Sequence, residues 1–107
     1  MKTLEEMVAV LDQTGFPIAN VVFPKDEPHD PPYLIWLTTG STDLYADGTN
    51  YLEVPDVQVE LYTLRKDPAS EKKVQSALSD SGFTYSKDEG WLDDEQMYMV
   101  IYNFALC

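Results

Sequence analysis

The chain of 107 residues is 44% hydrophobic and 24% charged, the make-up of a single globular domain over 1–107 and too short for two. Nineteen acids against seven bases give a net charge of −12, which opposes binding to nucleic acid or an anionic membrane and excludes functions built on a cationic patch. No stretch reaches the roughly 20 apolar residues of a membrane span, the acidic start MKTLEEMVAV predicts no secretory leader, and the single cysteine, Cys107, excludes an internal disulfide and fits a reducing compartment.

Thr3-Leu4-Glu5-Glu6 has the form of a capping box, and Leu4, Met7, Val8 and Leu11 follow at helical spacing until Gly15 and Pro17 stop the run. Ile18–Phe23 is short and β-branched, so a strand is predicted, followed by a solvated loop through Pro24, Pro28, Pro31 and Pro32. From Tyr33 to Thr39 the chain alternates Tyr33, Ile35 and Leu37 with Leu34, Trp36 and Thr38; apolar bulk on both sides predicts a central strand. Asp47-Gly48, between Leu44-Tyr45 and Tyr51-Leu52, has the chemistry of a tight hairpin turn, which predicts a projecting β-arm or long loop over about 40–54. Val57, Val59 and Leu61 then alternate with Gln58 and Glu60, a strand with one wet face until Tyr62 and Leu64.

Asp67-Pro68 opens a second helix, whose inward stripe is Val74, Ala77, Leu78 and Ser81 and whose outward residues are Glu71, Lys72, Lys73 and Asp80. Phe83–Tyr85 is expected to begin a strand that turns through Lys87-Asp88-Glu89-Gly90, and Met97–Phe104 closes the chain as its longest strand. The order αβββαββ predicts an α+β fold, a mainly antiparallel sheet with two helices on one face. The last strand carries Met97, Met99 and Ile101 on one side and Tyr98, Val100, Tyr102 and Phe104 on the other. Two thin helices cover one side only, so the other needs a partner.

No constellation for chemistry emerges. His29 with Asp26, Glu27 and Asp30 lacks a second imidazole or a thiolate for zinc. The EF-hand frame beginning at Asp43 fails at Tyr45 and Val54. No base stands beside a serine or cysteine nucleophile, Asp93-Asp94-Glu95 fits edge charges that deter unwanted pairing, and the five glycines sit at element ends rather than in a phosphate loop. No enzyme activity, metal or cofactor is therefore expected. Seven tyrosines and two tryptophans supply core bulk and contact surface; the contact candidates are Tyr45, Asp47 and Tyr51 on the arm, Trp91 and Tyr98.

The strings PPYLIW, YADGTNY, VELYTLRKDPASEKKV and WLDDEQMYMVIY together resemble a family of small proteins from the head-to-tail region of long-tailed (siphovirus) bacteriophages infecting Gram-positive bacteria. The matching positions are Pro32-Tyr33, Ala46-Asp47-Gly48, Glu60-Leu61-Tyr62-Thr63, Lys66-Asp67 and Glu95-Gln96-Met97-Tyr98, and they span most of the chain. Such proteins look like tail terminators, or tail-completion proteins. The resemblance implies a ring, a hexamer, that caps the tail tube and forms the head-joining surface. Its implied partners are further copies of itself, the tail tube protein and a head-completion or connector protein, in a virion assembled in the host cytoplasm. It implies no catalytic residues. A carboxylate-rich channel wall repels passing DNA, which gives the charge of −12 a purpose. A rival role, from another class, is an acidic inhibitor that imitates DNA and occupies a basic groove on a nucleic-acid-binding enzyme. Tyr45→Ala and Trp91→Ala are expected to leave the thermal midpoint nearly unchanged and to weaken assembly, measured by thermal unfolding beside gel filtration; a large loss of stability would place these rings in the core.

Overall fold

The structure, a computed structural model, describes residues 3–21, 30–41, 44–46, 49–52 and 54–106. Helix α1 spans Leu4–Asp12, and the Thr3 side chain accepts from the Glu6 amide at 3.1 Å, satisfying one of the donors a helix start leaves open. The helix ends where the Thr14 hydroxyl donates to the Leu11 carbonyl and Gly15 takes φ +82°, a conformation strained for any residue with a Cβ. Strand β1, Ile18–Asn20, is shorter than the predicted Ile18–Phe23, because Val21 turns the backbone to φ +68°. Phe23 and most of the proline-rich loop, His29 included, lie outside the described residues.

The remaining elements are β2 (Tyr33–Ser41), β3 (Leu44–Ala46), β4 (Thr49–Leu52), β5 (Pro55–Thr63), α2 (Pro68–Asp80), β6 (Ser86–Leu92) and β7 (Met97–Ala105). Five strands form one sheet in the order β1-β2-β5-β7-β6, with β1 parallel to β2 and every other pair antiparallel. Strands β3 and β4 pair with each other as a separate two-stranded sheet within the segment expected to be an arm or loop, and Asp47 and Gly48 between them lie outside the described residues. With the arm set aside the order is αβββαββ, an α+β fold as expected. Strands β5 and β6 are each antiparallel to β7 and so run the same way; α2 carries the chain across and leaves the slot that β7 fills.

The final hairpin differs from expectation. Phe83–Tyr85 is not strand, and Lys87–Gly90 is not a turn but the middle of β6, paired with Tyr102–Met99. The turn is Asp93–Gln96, where Gln96 takes φ +53° and its amide donates to the Asp93 carbonyl. The physical reason lies in the aromatics. Phe83 packs at 5.3 Å from Phe104 and Tyr85 edge-on at 5.2 Å from Tyr102, which anchors the chain leaving α2 before the strand begins. The polar run that follows occupies a sheet edge, where water and α2 both reach its side chains.

Both helices lie on the same face. Met7 and Leu11 of α1 and Val74 and Leu78 of α2 are buried with Leu34, Val57, Val59, Leu61, Val100, Tyr102 and Phe104. The Asp67 carboxylate accepts from the Ser70 amide at the start of α2, and its pKa is held below the ordinary value chiefly by that residue's hydroxyl and amide. Glu71, expected to point outward, is instead 3% exposed. Its position follows from helical geometry: Glu71, Val74 and Leu78 stand at i, i+3 and i+7 on one stripe. Glu71 Oε1 accepts from Lys66 at 2.9 Å and Lys87 at 2.7 Å, and Oε2, which accepts no hydrogen bond, sits 2.8 Å from the Lys66 ammonium.

Both lysines also reach Glu89, which takes a further hydrogen bond from the Tyr98 hydroxyl. Two carboxylates and two ammoniums therefore close a neutral cluster over the helix-side end of β6 and β7. An unpartnered buried carboxylate costs several kcal/mol, so the lysines hold Glu71 where it is rather than merely decorating it. The Lys66 hydrogen bond, followed by that of Tyr98, lowers the Glu89 carboxyl from 4.5 to about 2. A lowered folded value means stabilisation that is complete above the ordinary value and lost as pH falls toward 2. Glu89→Gln is expected to lower the thermal midpoint by a constant amount above pH 5 and to converge on the parent chain as pH approaches 2. In the same melts, Lys66→Met/Lys87→Met should be more damaging than Glu71→Met, because only the former leaves a buried charge unpaired.

Candidate interaction face

The strand register places a second set of side chains on the side of the sheet away from the helices. These are Tyr33, Ile35 and Leu37 of β2, Gln58, Glu60 and Tyr62 of β5, Met97, Met99 and Ile101 of β7, and Asp88 and Leu92 of β6. None belongs to the buried cluster that takes in both helices. Those on β2, β5 and β7 are half-buried, shielded by one another across the strands. The alternation Val57, Val59, Leu61 against Gln58, Glu60, Tyr62 that the sequence shows is thus a division between the covered face and the open one.

At the centre of the open face stands Glu60, opposite Ile35 on one neighbouring strand and Ile101 on the other. Gln58 Nε2 donates to its Oε2 at 2.7 Å and the Tyr62 hydroxyl donates to its Oε1 at 2.9 Å. Both donors are neutral and lie two residues away on the same strand, so they hold the carboxylate upright without cancelling its charge. Tyr62 stacks on Tyr33 at 5.1 Å with 22° between the planes, and the Tyr33 hydroxyl reaches Met97 Sδ at 3.9 Å. Burial, and then the Glu60 hydrogen bond, push the pKa of the Tyr62 phenol well above its ordinary value; burial, with Glu95 and Glu60 nearby, also raises that of Tyr33. Asp56 and Asp88 occupy the same face. By register it carries three carboxylates and no lysine or arginine among the described residues.

The expected contact residues fall elsewhere. Trp91 and Tyr98 are register partners on β6 and β7, on the helix side of the sheet. Trp91 is 47% exposed there, whereas Tyr98 is half-buried with its hydroxyl on Glu89 and Lys66 5.5 Å above its ring. Tyr45 and Tyr51 belong to the arm hairpin, and Asp47 lies outside the described residues. Glu60 and Tyr62 were legible as alternation but not as a site, because a lone wet face carries no sign of apolar neighbours contributed by other strands. Among the described residues no group of three or more potential ligands gathers as a metal site, and no helix is long and apolar enough to cross a membrane.

No protein-family model matches the chain, and no curated protein does. Tyr62→Phe, which removes the hydroxyl on Glu60, is expected to delete one of the two phenols raised furthest above the ordinary tyrosine value, Tyr102 on the covered face being the other. Phenolate absorbance followed against pH should lose part of its amplitude above pH 10, and the parent chain should lose stability relative to the variant as pH rises beyond the ordinary tyrosine value of 10.

Proposed function

We propose that this protein is a structural, non-enzymatic subunit whose open sheet face is completed by further copies of itself. The assembly is a ring at the end of a phage tail tube, in the virion, with the tube protein and a head-completion or connector protein as its axial neighbours. The observation that carries this reading is the open face. Tyr33, Ile35, Leu37, Met97, Met99, Ile101 and Leu92 form one apolar surface crossed by a few polar groups, the composition of a subunit interface rather than a solvent face. The ring, the tail tube and the virion come from the resemblance of the sequence strings from PPYLIW to WLDDEQMYMVIY. The net charge of −12 suits a channel that lets DNA slide without adhering.

The DNA-imitating alternative draws less support. A mimic presents acids in a row at phosphate spacing, whereas here Glu5, Glu6 and Asp12 lie along α1, Asp93, Asp94 and Glu95 fill the turn after β6, and Glu60 stands among apolar side chains. Solution mass against concentration tests the proposal. The parent chain is expected to associate, and Ile35→Asn or Ile101→Asn should weaken association at least about tenfold while leaving the far-UV spectrum unchanged. A chain that stays monomeric at every concentration and binds a nuclease instead would overturn the reading.

A further inference from the structure

We infer that the open face receives the Leu64–Arg65 corner of a neighbouring copy, head to tail, with Arg65 of one subunit paired to Glu60 of the next. This rests on the self-assembly reading above and deepens it by naming the two surfaces that meet. The argument begins with charge. The open face has Asp56, Glu60 and Asp88 by register and no described basic residue, so whatever covers it must be apolar and must bring a cation. Covering Glu60 without one would desolvate a carboxylate that has only neutral donors beside it.

A two-fold pairing of open face on open face fails this requirement, since it sets three carboxylates against the same three. The arm fails as well. Residues 40–54 contain Asp43, Asp47 and Glu53 and no lysine or arginine, so laying the arm on the open face would add like charge. What remains within this chain is a basic surface, and with seven bases in all there are few. Lys66 and Lys87 are committed to Glu71 and Glu89, the Lys73 ammonium stands over the Phe16 ring, Lys72 is exposed on α2 with no exposed large apolar side chain next to it, and Lys2 and Lys25 lie outside the described residues.

Three large apolar side chains are conspicuously exposed among the described residues: Val21 at 60%, Leu64 at 65% and Trp91 at 47%. Trp91 stands between Gly90 and Leu92, and Val21 between Asn20 and Val22, so neither has a base next to it. Leu64 alone is joined directly to a base, Arg65, itself exposed. The two residues lie just beyond the end of β5, in the bend before α2, where Pro31 and Pro32 line the same shallow hollow. A leucine beside a guanidinium matches an apolar surface around a carboxylate, and arginine reads a carboxylate with two parallel hydrogen bonds. Donor corner and acceptor face are different parts of the subunit. In the head-to-tail arrangement the contact is heterologous, and such contacts close into a ring when the rotation per subunit divides the circle.

The experiment is charge reversal read by sedimentation and light scattering on the whole chain, with circular dichroism as the check on folding. Glu60→Arg and Arg65→Glu are each expected to weaken association about tenfold or more, and the chain carrying both to recover to within about threefold of the parent. Glu60→Gln, which keeps acceptors for Tyr62 and removes the charge, serves where Glu60→Arg disturbs the fold, and should weaken association in the same direction. The two single-reversal chains mixed in equal amounts should co-assemble by alternation. If Ile35→Asn dissociates the assembly but the double reversal restores nothing, the self-assembly reading stands and the Glu60–Arg65 pairing is overturned. If the parent chain never associates, both are overturned together.

Discussion

A five-stranded sheet has two faces, and this chain has helix enough for one. That imbalance organises the molecule. Helix α1 and helix α2 lay Met7, Leu11, Val74 and Leu78 over one face, where Leu34 of β2, Val57, Val59 and Leu61 of β5 and Val100 and Tyr102 of β7 become fully buried. The same strands, by the two-residue period of the pleat, must turn an equal number of side chains the other way. Evolutionary economy would make these polar. In this chain they are mainly aliphatic, aromatic and thioether, and only Gln58, Glu60 and the outer positions are wet.

The covered face carries its own exception. Glu71 stands on the buried stripe of α2, and the fold accommodates it through two lysines that arrive from different directions, Lys66 from the bend before the helix and Lys87 from the edge strand β6. Edge strand, helix start and closing strand are thereby tied at one point, with Glu89 and Tyr98 completing it. Such a cluster contributes less net energy than apolar packing of the same volume would. Its role is geometric, since the Lys87–Glu71 pair ties edge strand β6 directly to α2. Glu60 presents the opposite situation. It is half-buried on the other face, with hydrogen bonds from Gln58 and Tyr62, both neutral.

Much of the architecture was legible in the residues. The Thr3 and Asp67 caps, the spacing of Leu4, Met7, Val8 and Leu11, the glycine stop at Gly15 and the two-sided alternation of Tyr33–Thr39 each act through neighbours within a turn or a pleat, so sequence alone determined them. The split of β7 into Met97-Met99-Ile101 and Tyr98-Val100-Tyr102-Phe104 was equally local. What tertiary structure decided depends on partners distant in the chain. Lys87–Gly90 has the composition of a turn, yet pairing with β7 makes it a strand, because hydrogen bonds across the sheet outweigh a weak local preference. Glu71 has the chemistry of an exposed residue, and only lysines five and sixteen positions away in the chain make its burial affordable. Glu60 looked like one more solvated acid until Ile35 and Ile101, twenty-five and forty-one positions away, were brought to either side of it. Local patterning sets which face a side chain takes; long-range pairing sets what it meets there.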